Sequence, residues 1–412
     1  MKILFIHQNY PGQFKALAPA LAALGHDLYA LKISQKKVAD IFNNGIKIIS
    51  YVPKRSSSLK IHPWLLDFET KIIRGEACFD ASLSLKQDGF NPDLIIAHPG
   101  WGESLFLKNV WPNSKLVIYC EFFYQAKGFD VAFDPEFSSN DSYTGCKLDM
   151  KNLYNLLQFS TADFGLSPTH WQASSFPADF KQRIKVIHEG IDTSRVFPSE
   201  KSFLVINGKD KLTVNDEIIT FVNRNLEPYR GFHIFMRALP KLLETRPNAR
   251  ILIVGGNSIS YGAKPEDNDS WKDKFVREIR PLVSSDDWKR VYFLGKIPYK
   301  YFINMLQIST VHVYLTYPFV LSWSLLEAMS CGCSVIASDT QPLHEVIQDG
   351  ENGLLVDFFD SENLSNQIIN LLDDEKLRKK ISTNARKFVI KNYDLKTVCL
   401  PQQIQWIESI IT

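Results

Sequence analysis

Short aliphatic runs alternate along this chain with stretches in which apolar positions recur every three or four residues. Ile3–Ile6 is apolar throughout, Gly12 opens the turn behind it, and Phe14, Leu17, Leu21 and Leu24 then repeat at helical spacing up to Gly25, a residue suited to closing a helix. Leu28–Leu31, Ile46–Tyr51, Leu94–Ala97, Leu116–Cys120, Phe164–Ser167 and Ile184–Ile187 read as further strands. Each is apolar nearly throughout, the pattern of parallel strands covered on both faces, and strands alternating with helices predict a doubly wound sheet.

A polar segment, 199–216, follows and carries Asn207-Gly208 between Phe203–Ile206 and Lys211–Val214, which predicts a small hairpin. The alternation then restarts: strand Ile218–Val222, helix Phe232–Leu243, strand Arg250–Val254, helix Trp271–Leu282, strand Val291–Leu294, helix Tyr301–Ile308 and strand Val311–Leu315. A helix over Ser322–Ser330, strand Ser334–Ala337 and a helical region over 363–392 complete it. The expected organisation is two Rossmann-like halves, 1–198 and 199–385, with 386–412 a helical segment packing back on the first half.

A length of 412 residues suits two domains, each large enough for its own core. Lys plus Arg number 47 against 45 Asp plus Glu, so the net charge is only +2, which disfavours a nucleic-acid partner. Of the six cysteines only Cys331 and Cys333 are close, without a second ligand pair or a nearby His, so no metal is expected and a reducing, cytoplasmic setting fits. The apolar run at the N-terminus breaks at His7, too early for a signal peptide, and no run approaches the roughly 20 residues of a membrane span. The expectation is a cytoplasmic protein that at most sits on the inner face of a membrane.

Candidate chemistry gathers just past strand ends, where doubly wound sheets bind ligands. Gly12, His98, Glu121, Gly190, Arg224, Arg230, Gly255, Gly256, Gly295 and Lys296 all fall there. Arg224 and Arg230 flank one loop and could grip a diphosphate. Ser322-Trp323-Ser324 opens a helix whose first N–H groups suit phosphate, and Glu327 follows about one turn on. The first strand is not followed by Gly-x-Gly-x-x-Gly, which weakens a nicotinamide-dependent reading, and no P-loop motif occurs.

Together these segments resemble the family-four glycosyltransferases of GT-B fold: two Rossmann-like α/β domains facing a cleft, with the donor held there. The resemblance runs from Gln8–Gly12 and Gly25-His26, through Val186–Asp192, Arg224–Gly231, Ile251–Gly256 and Phe293–Gly295, to Leu326–Gly332 and Glu345–Val356. It implies a metal-independent retaining hexosyltransferase that needs no cofactor beyond its nucleotide-diphosphate sugar donor and serves polysaccharide or glycoconjugate synthesis. Arg224 and Arg230 would bind the diphosphate, Glu327 the ribose hydroxyls, and Gly12 would let backbone approach the donor. Gly256, Lys296, Ser322, Trp323 and Ser324 would complete the donor site.

The sequence departs from the family at three places. The first Glu of the donor motif, eight residues before the second, is Phe319 here. The diphosphate Lys is replaced by Arg230, one residue further along. The His that ends a strand of the N-terminal domain appears as Glu121, with His98 at the neighbouring strand end as the competing catalytic candidate. Tyr317–Ser324 resembles a subgroup with its own form of the motif. A catalytically inactive nucleotide-sugar-binding or assembly partner and a GT-B epimerase are the alternatives. The acceptor is open: Trp64, Trp101, Trp111, Phe122, Phe123 and Tyr124 could stack on sugars, and the basic loop 54–60 could meet an anionic acceptor or lipid.

Overall fold

The computed structural model describes residues 1–36, 38–58, 60–138, 141–265 and 269–411. The chain folds as two units, one formed by Met1–Val131, Ser139–Gly190 and Lys396–Thr412, the other by Ala132–Ser138 and Ile191–Leu395.

The first unit is built on eight strands: β1 (Lys2–Ile6), β2 (Asp27–Ile33), β3 (Ile41–Asn43), β4 (Ile46–Tyr51), β5 (Leu94–Ala97), β6 (Lys115–Tyr119), β7 (Phe164–Ser167) and β8 (Ile184–Val186). They run in the order β3-β4-β2-β1-β5-β6-β7-β8, all pairs parallel except β3 with β4. β1 and β5 sit at the centre, and the side chains of Ile3–Ile6 and Leu94–Ala97 are wholly enclosed, which is why these stretches are unbroken apolar runs. The order reverses between them, so the ends of β1 and β5 flank the topological switch point.

The second unit begins with the predicted hairpin, β9 (Phe203–Ile206) and β10 (Asp210–Thr213), and continues with β11 (Ile218–Asn225), β12 (Arg250–Gly256), β13 (Val291–Gly295), β14 (Val311–Tyr314), β15 (Ser334–Ser338) and β16 (Leu354–Val356). The main sheet is wholly parallel in the order β13-β12-β11-β14-β15-β16, the dinucleotide-fold order, with its switch point between β11 and β14. Helix Phe232–Thr245 shows how a face is covered: Phe232, Phe235, Met236, Leu239, Leu242 and Leu243 are buried at helical spacing, and Phe235 stacks on Phe221 of β11 with ring centroids 4.5 Å apart.

The boundaries differ from 198 and 385. Ile191 and Val196 are already part of the second unit's core, and Val196 accepts a 2.6 Å hydrogen bond from Ser330. At the other end Arg386 donates to the Ser330 carbonyl and Val389 is buried, so the chain stays with the second unit up to Leu395. Only from Lys396 does it join the first, where Ile407 is buried and Gln403 donates to the carbonyl of His188. Nothing in the sequence reading anticipated that Ala132–Ser138 belongs to the second unit. The helical region over 363–392 is two helices, Ser361–Asp373 and Glu375–Tyr393, with Asp374 capping the second. Helix Trp271–Leu282 ends at Ile279, just before Pro281. None of the helices, among the described residues, is long and apolar enough to cross a membrane.

Candidate functional site

In the first unit the switch point brings two histidines together. His7 follows β1 and His98 follows β5; their rings are 5.3 Å apart, edge to face. The Asn9 amide donates to His7 Nδ1 at 2.9 Å, so the ring proton is on Nε2, which donates to Gln13 Oε1 at 2.8 Å. Burial, reinforced by His98, pulls the His7 pKa down to about 4, so the ring is neutral near pH 7. Gly12 has a φ of +48°, and a Cβ there would stand 2.2 Å from His7 Nε2. The glycine is therefore needed where the backbone passes over this imidazole.

His98 is fixed on both faces, stacked on Trp101 at 4.6 Å and on Tyr119 at 5.3 Å. The Gly100 amide donates to its Nδ1, which leaves Nε2–H directed at Glu121, whose carboxylate oxygen is 3.5 Å away. The two candidates named from the sequence are thus neighbours: His98 is enclosed, whereas the Glu121 side chain is 45% exposed. Behind them the Tyr119 hydroxyl donates to Glu189, and His188, pulled down to about 3 chiefly by burial, accepts from the Gly190 amide. His7, His188 and Glu189 were not singled out in the sequence. The only signal for them was their place immediately after an apolar strand.

In the second unit the loop after β11 crosses to the loop after β14. Arg230 is 5% exposed; its Nη1 donates to the Thr316 hydroxyl at 2.8 Å and to the Val320 carbonyl at 2.9 Å. Its guanidinium also lies over the rings of Tyr261 and Phe319, 5.3 and 5.7 Å from their centroids. Arg224 is exposed, so the two arginines do not present a matched pair: one projects, the other pins the donor-motif loop. Lys296 is exposed beyond β13, and its stem crosses Gly256, where a Cβ would stand 2.6 Å from Lys296 Cε. Among the described residues Arg224 and Lys296 form no ion pair.

Helix Trp323–Ser330 starts with Ser322 at its N-cap; the Ser322 amide donates to the Tyr314 hydroxyl, and its own hydroxyl makes no capping bond. Ser322, Trp323 and Ser324 are half-buried. Glu327 is the fifth residue of the helix, too far in for a capping box, and accepts a 2.7 Å hydrogen bond from Tyr299. Phe319 is 3% exposed, edge-on to Tyr229 and Tyr261.

Two family models match. Residues 25–196 fit the model described as the glycosyl transferase family 4 group, and residues 206–388 that of glycosyl transferases group 1. Together these two matches span most of the chain and support a glycosyltransferase of the family-four type. An uncharacterised glycosyltransferase of Methanocaldococcus jannaschii is 35% identical over 52% of this chain and 50% of its own length. A D-inositol 3-phosphate glycosyltransferase of Mycolicibacterium smegmatis is 30% identical over 47% of this chain and 41% of its own. The chain thus spans half or less of the length of these curated relatives. Among solved structures, sucrose-phosphate synthase of Thermosynechococcus elongatus superposes with a TM-score of 0.73 at 18% identity, over 100% of this chain and 99% of that one. Anabaena HepE in complex with UDP-glucose gives 0.67 at 16%, over 99% and 100%. These likenesses establish the GT-B fold, two Rossmann-like α/β domains with parallel sheets.

Other expectations sort by burial. Trp111 and Phe122 are core, and Phe123 packs on Phe159 and Phe176; Trp64, Trp101 and Tyr124 are half-buried. In the basic loop, Lys54 pairs with Asp80 at 2.7 Å and Arg55 with Glu69 at 2.9 Å, which anchors the loop to helix Leu66–Gln87; Leu59 lies outside the described residues. The strap Ala132–Ser138 is seated by two aromatic plugs. Phe133 packs among Tyr317, Phe358 and Phe359, and Phe137 between His233 and Trp271. Glu136 takes two hydrogen bonds from Arg237, at 2.7 and 2.8 Å.

Proposed function

We propose that the chain transfers a sugar from a nucleoside-diphosphate donor to an acceptor hydroxyl, with retention and without a metal ion. The observation that carries this reading lies at the C-terminal ends of the second unit's strands. Among the described residues, β11 and β13 bear at or just past their ends two cations outside any ion pair, Arg224 and Lys296, and the loop after β14 leads into helix Trp323–Ser330 and Glu327. Cations and helix N–H groups suit a departing diphosphate, and a buried carboxylate suits ribose hydroxyls. The UDP-glucose bound by Anabaena HepE supports a nucleotide sugar as partner.

In the reaction so read, the acceptor oxygen bonds to the anomeric carbon as the bond from that carbon to the diphosphate oxygen breaks, and the acceptor proton leaves with the diphosphate. The His98–Glu121 pair in the first unit is read as the group that meets sugar hydroxyls, Glu121 offsetting positive charge near the anomeric carbon. Arg230 acts by holding the donor loop in place. The setting is glycan or glycoconjugate synthesis in the cytoplasm.

The test is a screen of nucleotide sugars for release of free sugar without acceptor, read by product chromatography. Slow release that survives chelator and falls in Glu121→Gln supports the reading; dependence on magnesium or manganese contradicts it. If Glu121→Gln stays active and His98→Ala does not, the catalytic role passes to His98. Phe319, filling the place of the family's sugar-holding carboxylate, favours a second reading as a binding partner without turnover. Nucleotide binding with no release from any donor would establish that instead.

A further inference from the structure

The first unit carries a cavity of about 670 Å³ at the C-terminal ends of β1, β2 and β4, with helix Leu66–Gln87 contributing Thr70, Ile73 and Arg74 to its wall. Its size suits a small molecule, and its lining is rich in hydroxyl and amide groups. Ser57 and Thr70 share a 2.7 Å hydrogen bond, Ser34 faces the same space, and the side-chain oxygen of Gln8 is buried without a hydrogen-bond partner. Such donors and acceptors match the hydroxyls of a sugar or cyclitol.

The cavity is also unevenly charged. Arg55 is already neutralised by Glu69, and Lys54, just outside, by Asp80. Arg74 is half-buried and makes no hydrogen bond or ion pair among the described residues. The acid whose charge it feels, Glu103, is fully enclosed, with neither carboxylate oxygen hydrogen-bonded, and burial pushes its pKa up to about 7. Near neutral pH Glu103 is thus only a partial counter-charge, and the guanidinium is left to serve a ligand. A planar fork of donors suits an oxyanion.

We propose that this cavity binds a phosphorylated sugar or cyclitol, its phosphate on Arg74 and its ring hydroxyls on Gln8, Ser34 and the Ser57–Thr70 pair. Calling that ligand the acceptor rests on the transferase reading above; the binding itself does not. The phosphate can belong to a soluble molecule or to a lipid headgroup.

Calorimetric titration of the full chain with myo-inositol, myo-inositol 1-phosphate, glucose and glucose 6-phosphate tests it. At least one phosphate should bind about tenfold or more tightly than its neutral parent. Arg74→Gln should abolish that preference, and Arg74→Lys should keep part of it. Sedimentation with phosphatidylcholine vesicles, with and without phosphatidylinositol, separates the sources: Arg74-dependent binding to the inositol lipid alone assigns the phosphate to a headgroup. No preference for phosphate in either format overturns the proposal, as does one that Arg74→Gln leaves unchanged. An equal loss in Arg55→Gln reduces the effect to general charge and overturns it too. Nucleoside-diphosphate affinity, measured in parallel, should be untouched by Arg74→Gln. Its absence from the unmodified chain would sink the donor reading and leave the cavity to be judged by its own titrations.

Discussion

The hydroxyl of Tyr317 donates a 2.8 Å hydrogen bond to the carboxylate of Asp134, a residue 183 positions earlier. His233 approaches the same oxygen at 3.1 Å, and both residues of the pair are almost wholly buried. Tyr317 in turn stacks on Tyr229, next to Arg230, and begins the donor-motif segment. Asp134 is therefore a positioning residue for that segment. Asp134→Asn should lower the stability of the second unit by about 1–3 kcal/mol, since a buried charged acceptor is lost. Denaturant unfolding measures this, and an unchanged midpoint would mean that the aromatic plugs alone seat the strap.

Arg230 and Lys296 should separate cleanly. Arg230→Ala removes a buried cation hydrogen-bonded to Thr316 and Val320, so stability should fall by roughly 2–3 kcal/mol, with nucleotide affinity falling alongside. Lys296→Ala should fold normally and lose about a hundredfold in turnover, the usual worth of one preorganised charge contact. Thermal melts beside donor hydrolysis decide it. Loss of turnover at full stability in Arg230→Ala would move that residue onto the diphosphate itself.

Glu327→Gln keeps the shape of the side chain and the Tyr299 contact but removes a charged acceptor. Affinity for a free nucleoside diphosphate should drop by about 1.5–3 kcal/mol, or roughly ten- to a hundredfold. Tyr299→Phe is the companion variant, expected to change affinity far less. Unaltered affinity in Glu327→Gln would reduce that carboxylate to a helix residue.

Acid stability follows from His7 and His188. Their folded pKa values, about 4 and about 3, lie below the ordinary imidazole value near 6.5, so between those limits the unfolded chain binds more protons than the folded one. Their stabilisation is complete above pH 6.5 and is lost as the pH falls through that window. Replacing His7 with Gln should make the decline between pH 6.5 and 4.5 shallower, by at most about 1.4 kcal/mol per pH unit. Guanidinium unfolding at stepped pH reads the slope directly, and equal slopes in the two proteins would contradict a buried neutral His7.

Strands were legible because burial on both faces writes itself as an unbroken apolar run, as in Ile3–Ile6 of β1 and in β5. The edge strands β3 and β16 were missed: each has only three residues, β3 is exposed throughout, and the apolar β16 is too short to stand out as a run. Site positions were legible to the extent that strand ends are. His98 and Glu121 could be placed on neighbouring strands, but their 3.5 Å approach depends on the stacking of His98 between Trp101 and Tyr119. The character of Arg230 was not legible. Exposure of a guanidinium in a loop depends on which distant loop crosses it, and Thr316 and Val320 lie 86 and 90 residues away. The strap was invisible for the same reason: its Phe and Asp residues have partners only in three dimensions.

That strap makes the two halves inseparable at the level of the gene. A chain cut to residues 191–395 would contain every strand of the second sheet, yet it would lack Phe133 and Phe137, opening to water the hollows that Tyr317, Phe358, His233 and Trp271 form around them. A crossover at Gly190 that exchanged one half for a homologue's would likewise strand seven residues, 132–138, on the wrong parent. Inheritance of the second unit's packing is thus split across two stretches of sequence, and any shuffled descendant must carry both.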